Sequence, residues 1–180
     1  MTSDTNRAVP APADEVRWLS AEQLRNWRDL MEMLSFLPAA LDSQLKHDAG
    51  LNGFEYHVLA ALSEAPGGEL GLSTLAEMSR GSLSRLSHAV TRLERAGWVE
   101  RRRLSDEAGR RGVAVLTEAG QAKLEETAPG HVREVRRLVV DVLTPEQLTS
   151  IAGSAREITA AILADPPAEC TEGCVEPPDC

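Results

Sequence analysis

Arginine is concentrated in one stretch of the sequence, residues 80–111. This stretch holds nine of the 19 lysine and arginine residues of the chain, all nine of them arginine, against four acidic residues. It therefore carries +5, whereas the remainder carries −14 and the whole chain −9. The planar guanidinium group offers a fork of donors that matches phosphate oxygens and guanine edges. Because salt screens charge beyond about 8–10 Å, such a patch can bind an anionic polymer even in an acidic chain.

Two short helices are predicted to hold the first part of this stretch. Ser73 and Ser82 are good N-caps, "SRG" between the two helices favours a tight turn, and Gly97 ends the second helix. Helical spacing assigns the inner face of the second helix to Leu83, Leu86, Val90 and Leu93. Two helices joined by a three- to four-residue turn form a helix-turn-helix.

Two short strands are predicted to follow, formed by "WVERRRL" and "GVAVL". The segment "SDEAGRR" between them is interpreted as a glycine-containing hairpin loop, with Arg110 and Arg111 near its tip. A hairpin beside a recognition helix can reach the minor groove, where narrow segments attract arginine. Arg101, Arg102 and Arg103 lie on a strand and must alternate between its faces. The pattern is that of a winged helix-turn-helix.

The outer face of the second helix lacks long aliphatic residues, and a B-DNA major groove admits one α-helix. Small polar side chains and arginine are suited to base edges and phosphates. An ordinary amphipathic helix with a solvated face would explain the periodicity, but not the arginine-rich hairpin beside it. The predicted DNA contacts are Ser82, Ser84, Arg85, Ser87, His88, Thr91, Arg92, Arg101, Arg103, Arg110 and Arg111.

Helices are predicted on both sides of this segment. Ser20 with Gln23 begins a long first helix that we expect to bend at Pro38, and Asn52 with Glu55 begins a second.

Toward the C-terminus, Thr117 caps a long helix to about residue 143, interrupted by "PG" at 129–130. Thr144, Pro145 and Gln147 begin a last helix that runs to about residue 164. The fold class is therefore mainly α, with one small β-hairpin wing.

The run "SRLSH…TRLE…GWVERR" resembles the DNA-binding core of MarR-type winged-helix repressors, and the similarity extends over about residues 18–160. The resemblance implies a homodimer built by the first, fifth and sixth helices. It puts Ser84, Arg85, Ser87, His88 and Arg92 on recognition-helix positions and Arg110 on the wing arginine. The family commonly has an acid two residues before that arginine, whereas this chain has Ala108.

By the same resemblance, a small molecule bound between the dimer region and the DNA lobe releases a repressor from its operator. The candidates for lining such a pocket are Trp27, Met31, Leu34, Tyr56, His57 and Trp98. The alternative for each of them is an ordinary core or dimer contact.

Three regions are expected along the chain. Residues 1–17 are polar and proline-containing and should be disordered. Residues 18–164 form the winged-helix domain, with the DNA-binding lobe at about 52–117 and dimerisation helices at about 20–48 and 118–164.

Residues 165–180 form an acidic tail with all three cysteines of the chain, Cys170, Cys174 and Cys180. We expect a disordered tail without a cysteine function; a redox or metal-responsive role is the alternative.

Enzyme motifs are absent: the sequence has no P-loop, GxSxG, HExxH or Gly-rich dinucleotide loop. His47, His57, His88 and His131 form no ligand-spaced pair. We expect no catalytic activity, cofactor or bound metal. No apolar stretch approaches a membrane span and no signal sequence is recognised, so a cytoplasmic protein without a membrane partner is expected.

The sequence thus predicts a DNA-binding transcriptional regulator that binds a pseudo-palindromic operator in double-stranded DNA as a homodimer. The alternatives are a non-specific architectural DNA-binding protein, a redox- or metal-responsive regulator, and a winged-helix module used only for protein contacts.

Overall fold

A computed structural model describes residues 16–106 and 109–164, with side chains described outside 104–111. The expectations for residues 1–15, 107–108 and 165–180, including the three cysteines, lie outside the described residues. The helices are α1 (Ala21–Ala49), α2 (Gly53–Glu64), α3 (Leu72–Met78), α4 (Leu83–Arg95), α5 (Glu118–Val135) and α6 (Pro145–Ala164). The strands are β1 (Glu69–Gly71), β2 (Val99–Asp106) and β3 (Gly109–Leu116), and a π-helical turn, Arg136–Val140, follows α5. The mainly α winged-helix prediction is confirmed.

Reciprocal caps begin three of the helices where the sequence predicts them. The Ser20 amide donates to Gln23 Oε1 (2.9 Å), and the Gln23 amide donates to Ser20 Oγ (3.1 Å). The same exchange joins Asn52 with Glu55, and Thr144 with Gln147. Because each cap satisfies otherwise unpaired backbone donors, the start of a helix is well specified by these local sequences.

Two local predictions about helices are wrong. α5 continues through Pro129 and Gly130 without interruption. A proline removes one backbone donor from a helix but does not by itself end it when packing holds the flanking turns. A Cβ at Gly130 would lie 3.6 Å from Gln44 Nε2 of α1, an ordinary van der Waals distance. α3 begins after Gly71 rather than at a Ser73 cap. α1 runs as one helix through Pro38, where a bend remains a prediction.

The sheet has three antiparallel strands in the order β1-β3-β2, one strand more than the predicted hairpin. β1 is only three residues long and pairs Glu69 with Val115. The ladder between β2 and β3 continues to the pair Asp106–Gly109. Arg110 and Arg111 therefore lie on β3 in backbone register with β2, and the predicted loop assignment for them is wrong.

One hydrophobic core joins α2, α3, α4, the sheet and α5. Its fully buried members include Leu51, Val58, Leu59, Leu62, Leu75, Leu86, Val90, Leu93, Val99 and Ala114. Gly120 in the first turn of α5 lies directly against the carbonyl of Trp98, so that no Cβ fits there. This contact packs the start of α5 against the end of α4 and the start of β2.

The chain divides into two compact units at Ala39, and in each of them apolar side chains remain exposed. Before the division, the exposed apolar residues are Val16, Trp18, Leu19, Leu24, Trp27, Met31, Met33, Leu34 and Phe36. After it, α6 has no buried residue, and it exposes Ile151, Ile158, Ile162 and Leu163. None of the helices within 16–106 and 109–164 is long and apolar enough to cross a membrane.

Candidate nucleic-acid interface

The turn before α4 fixes where this helix begins. Ser82 is extended, and its Oγ accepts from the Arg85 amide at 3.2 Å, which confirms the predicted cap. Arg80 has a φ of 52°, and a Cβ at Gly81 would lie 2.5 Å from the ring of Phe54. Only glycine allows the turn to lie this close to α2. The start of α4 is thus positioned by both its cap and its packing.

The two faces of α4 are sharply different. Leu86, Ala89, Val90 and Leu93 are buried in the core. Leu83 was expected on that face but is 59% exposed, because it occupies the first helical position, where the helix has not yet entered the core. The outward side carries exposed Ser82, Ser84, Arg85, Ser87, His88, Arg92 and Arg95. Most of the predicted DNA contacts on this helix therefore share one surface.

Arg85 lies near the N-terminus of this surface. Its guanidinium carbon is 4.3 Å from the centroid of the Phe54 ring, within the range of a cation–π contact. The ring supports the guanidinium group without neutralising its charge. Arg85 is thereby oriented by α2 and remains a cation.

Arg92 is also held by α2, through charge. Its Nε lies 2.9 Å from Oε1 of Glu55, a residue whose side chain is only 2% exposed, whereas the Arg92 side chain is 63% exposed. The other oxygen of Glu55 accepts from the Asn52 amide at 3.0 Å in the cap of α2. The sequence did not identify Glu55 as the partner of Arg92. Its position three residues after Asn52 indicates only that a helix begins there.

Arg101 joins β2 to α4. Its Nη2 donates to the Ser87 carbonyl (2.6 Å) and to Thr91 Oγ1 (2.8 Å), and its Nε pairs with Glu94 Oε2 at 3.1 Å. The Arg101 amide donates to the other Glu94 oxygen at 3.0 Å. Thr91 and Arg101, both predicted to contact DNA, are thus bonded to each other inside the lobe.

The remaining wing arginines follow the strand register. Arg102 and Arg103 pair in the ladder with Val113 and Gly112, and both are exposed. Arg102 also forms an exposed ion pair with Glu100 at 3.1 Å. The side chains of Arg110 and Arg111 lie outside the described part of the structure.

A cleft of about 360 Å³ lies between the end of α1, the start of α2 and α4. It is lined by Asp42, Lys46, Asn52, Phe54, Glu55, Arg85, His88, Ala89 and Arg92. A hydrogen bond from the Gly53 amide, with Lys46 at 2.6 Å, lowers the pKa of Asp42. Tyr56, His57 and Trp98, predicted to line an effector pocket, do not contribute to this cleft.

The predicted effector residues after Ala39 occupy two places. The rings of Tyr56 and His57 meet edge to face at 6.2 Å, and Tyr56 also lies 4.7 Å from the ring of His131. Burial raises the pKa of Tyr56. Trp98 lies against the core, under the ammonium group of Lys123 at 5.6 Å.

The predicted effector residues before Ala39 are exposed side chains of α1: Trp27 is 50%, Met31 40% and Leu34 52% exposed. Among residues 16–106 and 109–164, no group of three or more His, Cys, Asp or Glu residues could hold a metal ion.

Known proteins resemble the chain in both sequence and structure. The MarR family model matches residues 51–108. Sco3205, a MarR family transcriptional regulator from Streptomyces coelicolor solved in complex with DNA, is 43% identical. That similarity covers 87% of this chain and 95% of Sco3205, with a TM-score of 0.78.

AbsC, another MarR family regulator from Streptomyces coelicolor, is 37% identical over 83% of this chain and 99% of its own, with a TM-score of 0.75. Sco5413 from the same organism shares the fold at 20% identity, over 81% of this chain and 99% of its own, with a TM-score of 0.65. No curated protein matches at a comparable level. The identity to Sco3205 and AbsC over nearly their whole length shows that this chain belongs to the MarR family of transcriptional regulators.

Proposed function

We propose that the protein is a sequence-specific DNA-binding regulator that acts as a homodimer on a pseudo-palindromic operator. The observation that carries this proposal is the outer face of α4, where Ser84, Arg85, Ser87 and His88 are all exposed beside an arginine-rich wing. A helix with short polar residues and arginine on one side fits a major groove. The structure of the relative Sco3205 with DNA supports the same use of this fold.

The arginines divide the work of binding in this proposal. Arg85, near the N-terminus of α4, reads base edges together with Ser84 and His88. Arg103, Arg110 and Arg111 on the wing strands act on phosphates and on the minor groove, where the potential of narrow segments attracts guanidinium groups. Thr91 and Arg101 act indirectly, because their side chains are bonded within the lobe.

A second copy of the chain is proposed to cover the exposed apolar residues of α1 and α6. α6 is 20 residues long, has no buried residue and exposes four large aliphatic side chains. Leaving such surface in water forfeits about 25 cal/mol for each Å². A two-fold-symmetric dimer would present two copies of α4 to successive major grooves, about 34 Å apart.

Repression and release by a small molecule complete the proposal, on the strength of family membership. The residues proposed to sense such a molecule are Tyr56 and His57, whose rings meet beside His131, together with Trp98, Trp27, Met31 and Leu34. Binding at Tyr56 and His57 would act on α4 through α2, which packs against it.

The test is selection of bound fragments from genomic DNA by the purified full-length protein, followed by footprinting and competition with scrambled duplex. We expect a two-fold-symmetric footprint that a large excess of scrambled duplex does not remove. Equal competition by scrambled duplex would favour an architectural DNA-binding protein. Failure to retain any duplex would favour a module for protein contacts. An affinity that responds to peroxide or zinc, and no longer does so after removal of residues 165–180, would favour a redox or metal-responsive regulator.

A further inference from the structure

Two neighbouring residues of α2 make different kinds of contact with two arginines of α4. Phe54 contacts Arg85 through a neutral ring, and no ion pair with a carboxylate joins Arg85 to the described residues. Glu55 faces Arg92 with a carboxylate oxygen 2.9 Å from Nε, and so opposes its charge. The outer face of α4 therefore presents one arginine that lies over a neutral ring and one that is paired with a carboxylate.

Arg92 is the cation that balances the charge of Glu55. Its Oε2 accepts from the Asn52 amide, but Oε1 is buried and accepts no well-directed hydrogen bond from the described residues. A buried carboxylate requires a nearby cation. Lys46, which lines the same cleft, pairs with Asp42 at 2.6 Å instead. Arg92 is therefore the counter-ion of Glu55. The two groups attract each other through their charges and do not form a well-aligned hydrogen bond.

We propose that Glu55 is a specificity-determining residue: it keeps Arg92 as an internal counter-ion and so withholds one positive charge per protomer from sequence-independent binding to phosphate. This inference rests on the proposed DNA-binding function. Non-specific affinity depends on the number of cations that replace counterions on DNA. A phosphate that approaches Arg92 has to compete with a carboxylate already in contact, so random duplex gains little from this arginine. Operator binding depends more on Arg85 and is less affected.

The test is Glu55→Gln, because glutamine keeps the shape of the side chain and the carbonyl that accepts from the Asn52 amide, and replaces the charged oxygen that faces Arg92 with a neutral NH2 group. For scrambled duplex, the slope of log K against log salt should steepen by about 0.9 per freed arginine, or about 2 for a dimer. Scrambled-duplex affinity at low salt should rise by about 3- to 10-fold. Operator affinity should change less, so that the ratio of the two falls.

Two further variants separate this mechanism from general effects. Glu55→Gln combined with Arg92→Gln should return the slope to the wild-type value, since the freed charge is then absent. Glu64→Gln, at the other end of α2, changes the net charge equally and should leave the slope close to that of the wild type.

The outcomes separate a failure of the inference about Glu55 from a failure of the proposed DNA-binding function. If the wild-type protein binds no duplex, the proposed function fails and the inference fails with it. If the wild type binds but Glu55→Gln keeps the wild-type slope, or weakens operator and scrambled duplex equally, only the inference is overturned.

A measurement on the unaltered protein guards against misfolding of the variant. The Nε resonance of Arg92, assigned by its absence in Arg92→Lys, should keep its chemical shift when scrambled duplex binds, because Glu55 remains the partner of Arg92. A large shift on binding scrambled duplex would contradict the inference, because phosphate would then have replaced Glu55.

Discussion

α4 and α6 are both amphipathic helices, yet only one of them finds a core within its own chain. α4 buries Leu86, Ala89, Val90 and Leu93 and exposes polar residues and arginines. α6 buries nothing and leaves its isoleucines in water. The difference teaches that the DNA-binding lobe has a core of its own, whereas α6 buries no side chain against the residues that the structure describes.

The largest effect should come from α6. Ile158→Asp puts a charge into the proposed dimer interface, and we expect a monomer by light scattering. Operator affinity should fall by at least about a hundredfold, because a monomer binds one half-site where a dimer binds two linked half-sites. Ser154→Asp, an exposed polar position on the same helix, is the matched control. A dimer of unchanged affinity in Ile158→Asp would assign α6 to some other role.

Two glycines sharpen the same comparison. Gly120→Ala forces a Cβ against the Trp98 carbonyl in the closed lobe, and we expect the free energy of unfolding to fall by about 1–3 kcal/mol or more. At Gly153 in α6, an added Cβ meets only the end of the Arg156 side chain, at 3.9 Å. Because alanine favours a helix more than glycine does, Gly153→Ala should raise the free energy of unfolding by up to about 1 kcal/mol. Urea unfolding of both variants measures this difference. Equal effects at the two positions would contradict the difference between a lobe that packs tightly within one chain and a helix that does not.

The sequence predicts what depends on local chemistry and misses what depends on distant pairs. The caps at Ser82, Asn52 and Thr117 are recognisable, because donor and acceptor are three residues apart. β1 is too short to show alternation, and it exists because β3 offers it a partner.

The candidate site shows the same limit. No pattern in the sequence connects Glu55 to Arg92 or Arg101 to Thr91, since residues 37 and ten positions apart meet only through tertiary packing. Amphipathicity placed Arg92 on the outer face of α4 correctly. It could not tell that Arg92 and Arg101 already have partners within the chain.

A smaller effect is expected where β2 meets α4. Arg101→Ala removes bonds to the Ser87 carbonyl, Thr91 and Glu94, and should lower the free energy of unfolding by about 1–3 kcal/mol, since these bonds involve charged groups. Operator and scrambled duplex should weaken by the same factor. Arg102→Ala removes an exposed ion pair, and should change stability by no more than about 1 kcal/mol. A selective loss of operator binding in Arg101→Ala would instead assign this residue to base contacts.

The smallest effect concerns His131. Burial, and second the charge of nearby His57, lower the pKa of His131 from its ordinary value of 6.5. The unfolded chain therefore binds more protons near that pH, and stability is lost as the pH falls through 6.5. The melting temperature of the wild type should drop more between about pH 7.5 and 5.5 than that of His131→Gln. His47→Gln serves as a control for removing an exposed imidazole.

The most direct test of the account is a titration of wild type and Arg85→Ala against operator and scrambled duplex at several salt concentrations. Arg85 is held over Phe54 on the exposed face of α4, where its side chain can reach base edges. We expect Arg85→Ala to lose about 1–3 kcal/mol at the operator for each half-site, and to relax the preference at one base pair per half-site. Scrambled duplex should weaken much less. An Arg85→Ala protein that keeps the full ratio of operator to scrambled affinity would contradict recognition by α4.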